Sequence, residues 1–234
     1  MKKILSAFIC AMLLIATTGC GSMNNTQKGA AIGAGGGAAL GAGIGALIGK
    51  GKGAAIGGVI GTAVGATAGV LIGKKMDKAK AAAQQVSNAT VEIVKDRNGL
   101  DAVKVSFDNG ILFQTGKSNL QSGAQNSLAQ FAQKVLNVYT DCDCSIYGFA
   151  SSDGSDQLNL NLSQQRANAV SGYLKNTCGV AASQIKYVQG FGEDPQYLIY
   201  NQDGSENREA SRRVEVYLYA SDAMIKDAEN GTLK

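Results

Sequence analysis

The chain has 234 residues, with 22 Lys and Arg against 18 Asp and Glu for a net charge of +4, 31 glycines, one proline and no histidine. Without histidine no Cys-His or Ser-His-Asp set can be built, so a non-enzyme is expected. Cys142-x-Cys144 with Cys178 lacks a fourth ligand for a metal. The charge excess is small and no basic stripe is interleaved with aromatics, which argues against a nucleic-acid partner and leaves anionic headgroups as the better fit for the lysines.

Met1 to Gly19 read as an export signal: Lys2 and Lys3, an apolar run from Ile4 to Ile15, then small residues before Cys20. Gly19-Cys20 resembles a lipobox, with Thr17 departing from the usual leucine, which implies lipidation of Cys20. Residues 20–28 are then a lipidated tether. Glycine next recurs at every fourth position from Gly29 to Gly73. In water each helical glycine costs about 1 kcal/mol relative to alanine, whereas in lipid a helix is required and small residues four apart let helices approach closely. Lys50 and Lys52 divide the run into halves of about 31 Å, each matching a hydrocarbon core. Residues 29–73 are therefore expected to form a transmembrane helical hairpin. The pattern resembles the glycine-zipper segments of bacterial envelope lipoproteins and implies homo-oligomerisation through the hairpin. Gly49-Lys50 lacks the following Ser or Thr of a phosphate-binding loop, and no cofactor is expected.

Residues 74–87, rich in Lys, Ala and Gln, read as a polar stalk, and residues 88–222 as the soluble domain, followed by a tail over 223–234. Val91 and Ile93, then Asn98-Gly99, then Val103, Val105 and Phe107 predict a hairpin. Ser122-x-x-Gln125 resembles a capping box opening a helix with Leu128, Phe131, Val135 and Val138 inward. A strand is predicted over Cys142–Gly148, a helix from Asp156 to Cys178 stopped by Gly179, and strands at Ile185–Gln189 and around Val214, Val216 and Leu218. The fold class is α+β, with two helices on one face of a mixed sheet. Cys144 shares the inward parity of Ile146, and Cys178 lies one turn below Leu174. A Cys144–Cys178 disulfide is expected, with Cys142 as the alternative partner.

On the second helix Asn159, Ser163 and Arg166 lie on one face, polar above an apolar stripe, beneath the loop 150–155. Composition alone equally allows a solvated patch in which Arg166 pairs Asp156 or Asp153. The run Gly148-Phe149-Ala150-Ser151-Ser152-Asp153-Gly154, Asn159, Leu162-Ser163-Gln164-Gln165-Arg166-Ala167, Gly190-Phe191-Gly192 with Pro195, and Arg208 through Arg212-Arg213 resembles the signature of OmpA-like peptidoglycan-binding domains. The resemblance implies the OmpA-like βαβαββ fold, peptidoglycan as partner, and outer-membrane localisation with a periplasmic domain. It also implies that Arg166 grips the carboxylate of diaminopimelate, with Asn159 and Arg212 lining the same pocket. Where the family usually has an aspartate for the ligand ammonium this chain has Ser151. Asp153 is the expected substitute. Two functions follow: a non-covalent tether between outer membrane and peptidoglycan, or a membrane-assembly and envelope-integrity protein whose domain has weakened or lost wall binding.

Overall fold

The computed structural model describes residues 64–96 and 98–233; the export signal, Cys20 and the glycine repeat as far as Gly61 lie outside them. Helix α1 (Ala66–Ala83) runs straight through the expected boundary between hairpin and stalk at residues 73 and 74. Its Ala68, Ile72, Met76, Ala79 and Ala83 form one buried stripe in the main core, and Lys75 pairs with Asp141 at 2.5 Å. This corrects the domain plan. Residues 74–87 hold a packed helix rather than a stalk, residues 66–73 leave the expected membrane hairpin, and the folded part begins well before residue 88. No described helix is long and apolar enough to cross a membrane.

Strand β1 (Ala89–Lys95) turns back antiparallel on β2 (Asp101–Asp108), with Lys95 opposite Asp101. Asp96 Oδ1 accepts the N–H groups of Asn98 and Leu100, and Gly99 takes a φ of 73°, so the turn rests on a carboxylate and a glycine. A short α2 (Asn109–Leu112) precedes α3 (Ser122–Phe131), which continues as a π-helical turn over Ala132–Leu136. The capping box does not form. Gln121 holds the N-cap position, Ser122 is already helical, and no side chain caps the end. Leu128, Phe131 and Val135 are buried, whereas the wider turn rotates Val138 outward to 61% exposure.

Strand β3 (Cys142–Phe149), α4 (Asp156–Asn176), β4 (Ile185–Gly190), α5 (Arg208–Ser211), β5 (Arg213–Ala220) and α6 (Asp222–Glu229) complete the chain. The five strands lie in the order β1-β2-β5-β3-β4; β3 and β4 are parallel and all other neighbours antiparallel. The expected C-terminal tail is thus largely a helix: Met224 and Ala228 of α6 are buried, and α6 packs on α1. Among the described residues five helices, α1, α2, α3, α4 and α6, contribute to the principal core on one face, because α1 and α6 fold back over the sheet.

The other face carries a second layer of Tyr147, Phe149, Tyr217 and Tyr219, roofed by Phe191 and Tyr197. Phe191 stacks on Phe149 with ring centres 5.6 Å apart. Polar groups within this layer are paired: Arg213 Nε donates to Glu215 at 2.7 Å, the Tyr217 hydroxyl donates to the same carboxylate, and Ser145 bonds Tyr219. Every residue of β5 is consequently buried. The cysteines depart from expectation as well. Cys142, Cys144 and Cys178 are free thiols, so neither the Cys144–Cys178 bridge nor its Cys142 alternative is formed. Cys142 faces Met224 Sδ at 3.7 Å, and Cys178 shares a hydrogen bond with Tyr173.

Candidate functional site

The expected residues gather where β3 and β4 end and β5 begins. Glycine makes this closeness possible: a Cβ on Gly148 would lie 2.2 Å from the Ser163 carbonyl oxygen, and one on Gly190 2.2 Å from the Gln164 nitrogen. Helix α4 therefore rests directly on the strand ends. Its N-cap is Ser155, whose hydroxyl accepts from Leu158 N–H. Ser163 Oγ accepts from Gly192 N–H and donates to the Leu160 carbonyl, fixing the loop after β4 to the helix. Asn159, also buried, donates from Nδ2 to the Asp153 carbonyl at 2.9 Å and to Glu193 Oε2 at 2.5 Å.

Arg166 is only 2% exposed. Its Nε donates to the Lys117 carbonyl at 3.0 Å, and its guanidinium lies 5.4 Å from the centre of the Phe113 ring. No carboxylate pairs with it among the described residues. Burial, and then the nearby charge of Arg212, lower its pKa well below the ordinary guanidinium range, to about 10. The solvated ion pair that composition allowed is instead made by Arg212, whose Nη1 meets Asp153 Oδ2 at 3.3 Å and Ser151 Oγ at 3.4 Å. Arg208 meets the other oxygen of Asp153 at 3.2 Å, and Ser151 Oγ donates to Oδ2 at 3.1 Å. Asp153 is thus engaged by two guanidinium groups.

Ser151, Asp153, Asn159 and Arg212 accordingly form one neighbourhood joined through the 150–155 loop, and Arg166 lies near enough to feel the charge of Arg212. Arg213, the other half of the arginine pair, belongs to the opposite face, with its guanidinium 4.2 Å from the Phe149 ring centre. Three further acidic or basic side chains complete the rim and received no role from the sequence: Arg208, Glu206 and Glu193. Glu206 accepts from the Ser152 hydroxyl at 2.5 Å and from its backbone N–H at 3.2 Å. Glu193 has a raised pKa, chiefly from desolvation and then from sharing a hydrogen bond with Asp156, with Asn159 acting in the opposite sense. Gly190-Phe191-Gly192 marked this loop in the sequence, but nothing in the spacing brings Glu193 to Asn159. No group of residues able to hold a metal is found among the described residues.

Residues 112–212 match the model of the OmpA family, and residues 1–77 match that of the YMGG-like Gly-zipper. The OmpA match thus covers β3, α4 and β4 together with the arginines before β5. The second match lies over the glycine-rich N-terminal third, and α1 begins inside it. The probable lipoprotein YiaD of Escherichia coli is 35% identical over 118 residues, 50% of this chain and 52% of that protein. Outer membrane protein Omp38 of Acinetobacter baumannii is 35% identical over 104 residues, 44% of this chain and 28% of that one. The chain therefore spans about half the length of the first of these relatives and less of the second. A solved MotB-like protein from Desulfovibrio vulgaris superposes with a TM-score of 0.49 at 21% identity, over 66% of this chain and 92% of the other.

Proposed function

We propose that this protein is an outer-membrane lipoprotein whose periplasmic OmpA family domain holds peptidoglycan non-covalently, with Arg166 and Arg212 receiving the carboxylate of diaminopimelate in the stem peptide. The observation that carries the reading is Arg166 itself. A guanidinium held at 2% exposure, propped on a carbonyl and an aromatic ring, beside a second arginine and with no carboxylate of its own, is a site short of one anion. Its donor fork suits a carboxylate bidentately. Cys20 supplies the lipid anchor and the glycine-rich segment a second hold on the membrane, through which copies associate. The role is attachment and not catalysis.

The alternative, an envelope-integrity protein with weakened wall binding, is favoured by a different observation. Ser151 brings no charge, and Asp153 is already neutralised by Arg212 and Arg208, so the ammonium half of the ligand meets no free carboxylate there. Avidity among several membrane-held copies would offset a weak single site. Co-sedimentation of the purified protein with peptidoglycan, in the presence of rising free diaminopimelate, decides between them. The tether reading expects sedimentation that the free amino acid reverses; protein that stays in the supernatant supports the alternative.

A further inference from the structure

The strand registers define two poles. At one, Asp108, Phe149 and Gly190 end their strands and Arg213 begins its own, and the candidate site lies there. At the other lie the β1–β2 turn, Cys142, Ile185 and Ala220. Helix α1 spans the distance. Its first turns, from Val64 to Lys74, line a cleft with Lys95, Gly99, Leu100 and Asp101, while its far end leads through Val86 into Ala89, opposite Phe107. Val64, the first described residue, therefore stands at the pole away from the site. Eight-residue strands place the two poles about 25 Å apart.

The direction is fixed by packing. Ile72 and Met76 are fully buried, Lys75 pairs with Asp141 just before β3, and α6 lies against α1, so the helix is clasped from three sides. Val70 remains 57% exposed, with Lys74 and Lys95 exposed nearby on the same pole. Lys95 is paired with Asp101 and the cleft also holds Asp77, so the charges around Val70 balance and its exposed apolar side chain is what suits a lipid interface.

We infer that α1 is a rigid bracket that turns the β1–β2 pole toward the lipid surface and presents the candidate site in the opposite direction, away from the membrane. This rests on the membrane-anchored reading above, but not on what the site binds. A flexible linker would let the site point anywhere, including back at the bilayer. The bracket removes that freedom, so that membrane anchorage alone aims the site at whatever lies about one domain length away.

The test uses the full-length protein in vesicles of phosphatidylethanolamine and phosphatidylglycerol with an acceptor fluorophore on a fraction of the headgroups. Donor dyes are placed singly at Lys95→Cys or Gln202→Cys in a Cys178→Ser background, Cys142 and Cys144 being buried. Energy transfer several-fold stronger from position 95 than from position 202 is expected. In the Ile72→Asp variant, which releases α1, the two positions should converge. Equal or reversed transfer in the parent overturns the inference, as does protein that fails to float with the vesicles. Should Ile72→Asp prevent folding, hydrogen exchange of the parent serves instead: α1 amides protected like those of β2 support the bracket, and exchange at the rate of unfolded chain overturns it. Failure to bind peptidoglycan would leave all of these readouts unchanged, which separates the two claims.

Discussion

Arg166→Met keeps most of the side-chain length and removes the charge, so it asks separately what the guanidinium does for folding and for binding. In the folded protein burial, and then the neighbouring Arg212, hold the guanidinium well below its ordinary range, at about 10. At pH 7 it is charged in both states, but the unfolded state holds the proton more tightly, so the charge destabilises the fold by roughly 3 kcal/mol, a penalty relieved only as pH rises past about 10. Against this stand a hydrogen bond from a charged donor, about 1.5–3 kcal/mol, and the contact with Phe113, about 1 kcal/mol. The two sides nearly cancel. The melting temperature should therefore move by no more than about 5 °C. Binding has no such compensation: two charge-assisted bonds to a carboxylate are worth at least about 3 kcal/mol, so affinity should fall more than about 100-fold. Scanning fluorimetry and co-sedimentation with peptidoglycan measure both quantities on one sample. A melting temperature lowered by 15 °C would show that Arg166 is a structural residue, and undiminished sedimentation would refute its role in the site.

Ser151→Asp places a second carboxylate beside Asp153 at a 2% exposed position, so it should lower the melting temperature by a few degrees, and adding Asp153→Ser should restore it. Gly190→Ala drives a Cβ into the α4 backbone and should cost about 3 kcal/mol or more in urea unfolding, whereas Gly172→Ala, which meets nothing within 4 Å, should stabilise by about 0.5–1 kcal/mol. Burial pushes the Cys142 thiol up to about 12 and Cys144 higher still, so at pH 8 iodoacetamide should modify Cys178 well before either in the native protein, as read by peptide mass mapping. Identical melting curves with and without dithiothreitol are expected, since none of these three thiols is bridged.

Much of the sheet was legible because alternation and turn chemistry are local. Asn98-Gly99 and the Val103, Val105, Phe107 parity give the hairpin with no knowledge of what packs on it. The misread elements depended on distant partners. Ile72 and Met76 look like membrane or stalk residues until α6, some 150 residues later, and the sheet supply the surface they bury against. Val138 fits a straight helix and leaves the core only because α3 widens into a π turn. Within the site, Arg166, Asn159 and Arg212 were marked by the family resemblance, whose motif preserves relative position. The partner of Asp153 was not, because a loop carboxylate can reach Arg166 or Arg212 with equal ease from the sequence. The pairing depends on how the chain from Arg208 to Arg212 enters β5.

Diaminopimelate differs from lysine at the same stem-peptide position by one carboxylate, the group assigned to Arg166 and Arg212. Co-sedimentation of the full-length protein with purified sacculi of the two chemistries, matched in mass and crosslinking, therefore tests the central claim most directly. Retention on diaminopimelate-type sacculi at least tenfold stronger than on lysine-type sacculi is predicted. Equal retention on both, or retention on neither, would contradict the assignment of a carboxylate site at Arg166.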